Sequence, residues 1–173
     1  GRLTELAMTA QGTSFVARLA GDPQRAEAYL AEACAFLEER NERSLLSTAA
    51  ALRAEVLAQL GRLDEAKRWA DLSGELAAPD DMFTHLPLAA VRARLLSARG
   101  DHEAAERAAR DAVELAGTTD FVHYQGQAHE TLADVLVAAG LPADEAYEVA
   151  AATYARKGDV VSEARMRTAA AAR

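Results

Sequence analysis

Four glycines, Gly21, Gly61, Gly100 and Gly140, stand 40, 39 and 40 residues apart. Around each the local text recurs, as Leu19-Ala20-Gly21-Asp22, Gln59-Leu60-Gly61-Arg62, Ala98-Arg99-Gly100-Asp101 and Ala138-Ala139-Gly140-Leu141. A fixed period of this size leaves few folds open. Each unit is too small to bury its own apolar face, and stacking of like units buries it instead. The glycines read as turns, because a residue without Cβ takes the left-handed backbone that ends a helix.

The flanking positions carry the same period. Five residues before each glycine stand Val16, Val56, Leu95 and Val135, and seven before it Ser14, Ala54, Ala93 and Ala133. Five after it come Ala26, Ala66 and Ala105 and, with one inserted residue in the last unit, Ala146. Small residues on both sides of a turn let two helix backbones approach, while the larger apolar side chains fill the space beside the contact. Composition agrees: half of the residues are hydrophobic but only 5% are aromatic, and isoleucine is absent. Much of the apolar share is alanine, the best helix former, and no segment alternates in the manner of a strand.

The expected fold is all-α, an α-solenoid of about four antiparallel helical hairpins at about 3–41, 44–77, 82–117 and 120–157. A capping helix at about 159–172 closes it, and the whole of 1–173 forms a single repeat domain. In the second hairpin Leu45, Ala49, Leu52 and Val56 recur at helical spacing, as do Ala66, Trp69, Ser73 and Leu76. Asp22-Pro23 supplies an N-cap followed by proline at the first helical position. Leu141-Pro142-Ala143-Asp144 forms the last turn.

The formal charge is −8, with 17 arginines against 2 lysines and no dense basic stripe. Phosphate neutralisation supplies most nucleic-acid affinity, so direct nucleic-acid binding is not expected, and neither is an anionic membrane surface. No stretch of about 18 residues is apolar and free of charge, so no membrane-spanning segment is expected. A single cysteine, Cys34, cannot form an internal disulfide and reads as a small buried apolar side chain. That fits a reducing compartment, and the cytoplasm is the expected location. The opening Gly1-Arg2-Leu3 has neither Met nor a signal-peptide pattern, so a piece of a longer protein is expected.

The small residue before the turn, the apolar residue after it in the first helix, the turn glycine and the alanine beyond it together resemble the tetratricopeptide repeat. The likeness covers nearly the whole chain. Where that family has a tryptophan near the start of the first helix, this chain has Ala10, Ala50, Ala89 and His129. Its period of about 40 exceeds the family's 34, which implies longer helices or loops. A narrower resemblance lies in Glu75-Leu76-Ala77-Ala78-Pro79-Asp80-Asp81, Ala109-Arg110-Asp111-Ala112-Val113-Glu114-Leu115-Ala116 and Tyr154-Ala155-Arg156-Lys157-Gly158-Asp159-Val160-Val161. These look like the C-terminal repeat region of large actinobacterial signalling proteins, which join a nucleotide-cyclase or DNA-binding domain to an NTPase and then to tetratricopeptide-like repeats. The resemblance implies a sensor or scaffold arm whose chemistry resides in other domains.

In tetratricopeptide arrays the first-helix residues thirteen, ten, six, three and two before the turn glycine face the concave surface. The resemblance therefore nominates Met8, Gln11, Phe15 and Arg18 from the first unit and Thr48, Glu55 and Gln59 from the second. Arg94 follows from the third, and Gln127, Glu130 and Asp134 from the fourth. The implied groove has an exposed Phe15 beside Arg18 at one end and an acidic other end. It lacks the Lys- and Asn-rich clamp that grips chaperone C-termini, and a peptide with an apolar anchor and basic residues suits it better. The other reading of these side chains is a solvated inner face.

No Gly-rich phosphate loop, Cys-x-x-Cys or His-Glu-x-x-His motif occurs, so no catalytic activity, cofactor or metal is expected. The densest cluster is Asp120-Phe121-Val122-His123-Tyr124-Gln125-Gly126-Gln127-Ala128-His129-Glu130. His123 and His129 are six residues apart, about 600° of helix rotation, so they do not share a face as metal ligands would. Packing of His129 and a helix-entrance His123 is the preferred reading. His85 and His102 read as solvated or capping. Trp69 and Tyr29, each eight residues after its glycine, read as repeat-equivalent core, with Ala108 and Val149 as counterparts. The expected function is non-catalytic protein or peptide binding, the partner including other domains of the parent chain. A small-molecule-sensing regulatory arm is the alternative, and self-association through the first unit a third.

Overall fold

The computed structural model describes residues 1–172. Among them are nine helices and no strand: α1 (Arg2–Leu19), α2 (Pro23–Glu39), α3 (Arg43–Gln59), α4 (Leu63–Leu76), α5 (Met82–Ala98), α6 (His102–Gly117), α7 (Val122–Ala138), α8 (Asp144–Lys157) and α9 (Val160–Ala171). No described helix is long and apolar enough to cross a membrane.

The turns follow from backbone hydrogen bonding. At Gly21 the φ is 77°, Gly21 N–H donates to the Arg18 carbonyl and Asp22 N–H to that of Ala17. This paired closure satisfies carbonyls the helix end leaves open, and it needs a left-handed residue at its centre. The same two bonds recur around Gly61, Gly100 and Gly140. Halfway through the first period Asn41, at φ 53°, makes them too, an asparagine standing where glycine is otherwise used. Gly158, at φ 81°, makes the same two bonds, and directly after the turns at Gly21, Gly100 and Gly158 an aspartate caps the next helix: Asp22 accepts from Arg25 N–H, Asp101 from Ala104 N–H and Asp159 from Ser162 N–H. Each such cap stabilises by about 1 kcal/mol.

The chain divides into two compact units, Gly1–Val91 and Arg92–Arg173, the division falling inside α5. In the first, α1 packs on α2 and α3, α2 on α3, and α3 on α4. Leu30, Ala26, Ala17 and Val56 form one buried cluster there. In the second, α6 packs on α7, α7 on α8 and α8 on α9, around Leu132, Val135, Tyr147, Tyr154 and Met166. Fully burying an aliphatic side chain of this kind stabilises by about 1.5–3 kcal/mol.

Both rows of small residues are buried, Ser14, Ala54, Ala93 and Ala133 before the turns and Ala26, Ala66, Ala105 and Ala146 after them. The apolar row is less uniform. Val56, Leu95 and Val135 are buried, but Val16 is 64% exposed.

Candidate functional site

In the first unit the structure brings two of the nominated residues together. The Arg18 guanidinium pairs with the Glu55 carboxylate, whose side chain is fully buried. Met8 is exposed, Gln11 and Phe15 are half-buried, and Gln59 is exposed. Phe15 is thus more covered than the sequence suggests. Thr48 shares a 2.7 Å hydrogen bond with Thr84 at the start of α5, and Thr84 donates in turn to Asp81 at 2.6 Å.

In the second unit Arg94 of α5 faces Glu130 and Asp134 of α7, at 3.7 and 3.4 Å. Two further groups close on Glu130 that sequence spacing did not single out. Arg165 of α9 pairs with both carboxylate oxygens, and the Tyr154 hydroxyl donates to one at 2.8 Å. Both lie more than 20 residues away along the chain, on helices whose rotation no local pattern fixes. Burial pushes the Glu130 carboxyl up, but the Arg165 hydrogen bond, the Arg94 and Arg165 charges and Tyr154 together hold it below its usual value. Gln127 is buried in the same helix.

The histidine cluster is dispersed. His123 sits against the rings of Tyr124 and Tyr154, with centroids 5.5 and 6.0 Å away. His129 is half-buried, and burial holds its imidazole below the usual value, which favours the neutral form. The His85 Nε2 lies 2.8 Å from the Ala78 carbonyl oxygen, and His102 is the first residue of α6. Among the described residues no three His, Cys, Asp or Glu side chains gather as metal ligands.

A cleft of about 640 Å³ lies between α6, α7 and α8. Its apolar walls are Val113, Leu132, Leu136 and Val149, with Leu141 and Pro142 at one end. Leu141 and Val149 are among the few large apolar side chains left exposed. Glu106, Glu114 and Glu145 edge the cleft, with Arg110 and His129 beside them. Arg110 bonds Glu106 across one helical turn. No described cation pairs with Glu114 or Glu145. The size lies within the range of about 300–1,000 Å³ typical of ligand sites.

The repeat-equivalent place in the first unit is filled. Counted from the turn glycines, Arg53 stands where Leu132 does, Trp69 where Val149 does, and Glu27 where Glu106 does. The Arg53 guanidinium lies 4.3 Å from the centre of the Trp69 ring and donates to Glu27 at 2.8 and 3.0 Å. Arg62 donates to Glu65 at 2.7 Å and approaches Glu27 at 3.7 Å. Glu65 corresponds to Glu145 once the inserted residue of the last turn is allowed for. The carboxylates are thus kept at α6 and α8, while both arginines and the tryptophan are replaced by smaller apolar residues.

Compared with known proteins, the chain matches no protein-family model and has no significant match among curated proteins.

Proposed function

We propose that this chain is a tetratricopeptide-like helical solenoid whose role is to bind another protein, with no bond made or broken. The cleft between α6, α7 and α8 is the observation that carries the reading: an open apolar surface with unpaired carboxylates, on helices locked by their own turns. Preformed walls lower the ordering cost of binding. The nominated residues Arg18, Glu55, Arg94 and Glu130 serve in this reading as internal ties that fix the helices. A place within a larger cytoplasmic signalling protein, next to domains that carry the chemistry, rests on the resemblance of the repeat text alone.

The test begins with capture of partners from the source cell's lysate, followed by titration of each purified partner against the chain and against Val149→Lys. Saturable binding that the variant weakens supports the reading. Saturable binding of a metabolite with no protein partner would instead favour the sensing arm.

A further inference from the structure

We propose that the α6–α7–α8 cleft takes the arginine side chain of a partner peptide, with an apolar neighbour seated beside it. The inference rests on the interaction reading above and names the chemistry of the occupant. Its warrant is internal to the chain. In the first unit the equivalent groove holds the Arg53 guanidinium, stacked on Trp69 and bonded to Glu27. In the second unit Glu106 is retained, while Leu132 and Val149 leave the space of the guanidinium and the indole open. A guanidinium entering from outside would restore the missing group.

Charge selects the same occupant. Three carboxylates edge the cleft against one guanidinium, that of Arg110, and His129 is held toward its neutral form. The Arg110–Glu106 pair is an exposed contact across one helical turn, weak in water, and an incoming cation displaces it readily. Arginine fits better than lysine because its planar fork reaches two carboxylates at once and is more weakly hydrated over apolar walls. The walls of Leu132, Leu136 and Val113 exceed what one guanidinium covers, which leaves room for the apolar neighbour.

The experiment is a selection of random displayed peptides on the purified chain, run beside two variants. In Leu132→Arg/Val149→Trp the groove carries the residues of the first unit. In Glu106→Gln/Glu145→Gln the walls are intact and the carboxylates are neutral. Circular dichroism verifies that each is folded. Enriched peptides sharing an arginine next to an apolar residue are expected. As synthetic peptides they should bind about tenfold or more weakly to the neutralised variant, and not measurably to the filled one. Citrulline in place of the arginine should cost a similar factor. Peptides that lack arginine, or that bind all three proteins equally, overturn the inference and leave the interaction reading standing. If no peptide is enriched and the purified lysate partners also fail to bind, both fall.

Discussion

The Tyr154 ring lies so close to α7 that a Cβ built on Gly126 would stand 2.8 Å from its Cε1. Glycine at this point in a helix costs about 1 kcal/mol against alanine in propensity, so a close contact offsets it here. Tyr154 is buried, and its hydroxyl is tied to Glu130, so the ring cannot simply swing aside. Gly126→Ala is therefore expected to destabilise the second unit by about 1–3 kcal/mol despite its better helix propensity. Chemical denaturation reads the change, and an unchanged or raised midpoint would show that the ring relaxes without cost.

Arg18 and Glu55 join α1 to α3 through a carboxylate that has left water entirely. Arg18→Ala removes one partner of that buried carboxylate and is expected to destabilise by about 1–3 kcal/mol. Replacing both residues by methionine removes the buried charge together with its partner and should recover part of the loss. A double variant no more stable than Arg18→Ala would mean that the pair contributes through packing rather than charge.

Glu130 gives the second unit a dependence on acid. Its carboxyl is held below 4.5, so the folded chain binds the proton less tightly than the unfolded chain does. The resulting stability is fully present above the unfolded value and is lost as pH falls through the folded value. In Glu130→Gln this contribution is absent. The pH-dependent gap between the two proteins should be widest near neutrality and shrink from about pH 5 downward. Denaturation curves that stay parallel across that window would contradict the assignment.

Cys34 is fully buried in α2, and burial pushes its thiol up to about 12. The thiolate is the reactive form, so alkylation at mildly alkaline pH should be negligible until the chain unfolds. Rapid labelling of the native protein would place Cys34 outside the core.

What the residues made legible follows their spacing. The helix limits at Gly61 and Gly100 and the buried rows of Ala54, Ala93 and Ala133 were readable, because turn chemistry and helical period act over a few residues. Trp69 and Val149 read alike as repeat-equivalent core, yet Trp69 is buried and Val149 is exposed, because one groove is filled and the other open. That depends on Arg53 reaching across to Glu27, a contact spanning 26 residues. Likewise Arg94 could be nominated for an inner face, while the gathering of Arg94, Tyr154 and Arg165 on the Glu130 carboxylate required the rotation of four helices. Val16 shares its repeat position with buried Val56 and is nevertheless exposed, since local text does not say what covers a face.

The occupant of the open cleft can be observed directly by nuclear Overhauser contacts between the methyl-labelled chain and the peptide acetyl-Leu-Arg-Leu-amide. Contacts from the arginine side chain to the Val149 and Leu132 methyls are expected at saturation, and they should vanish in Leu132→Arg/Val149→Trp. Arginine contacts confined to another face, or none at saturating peptide, would contradict the assignment of this cleft.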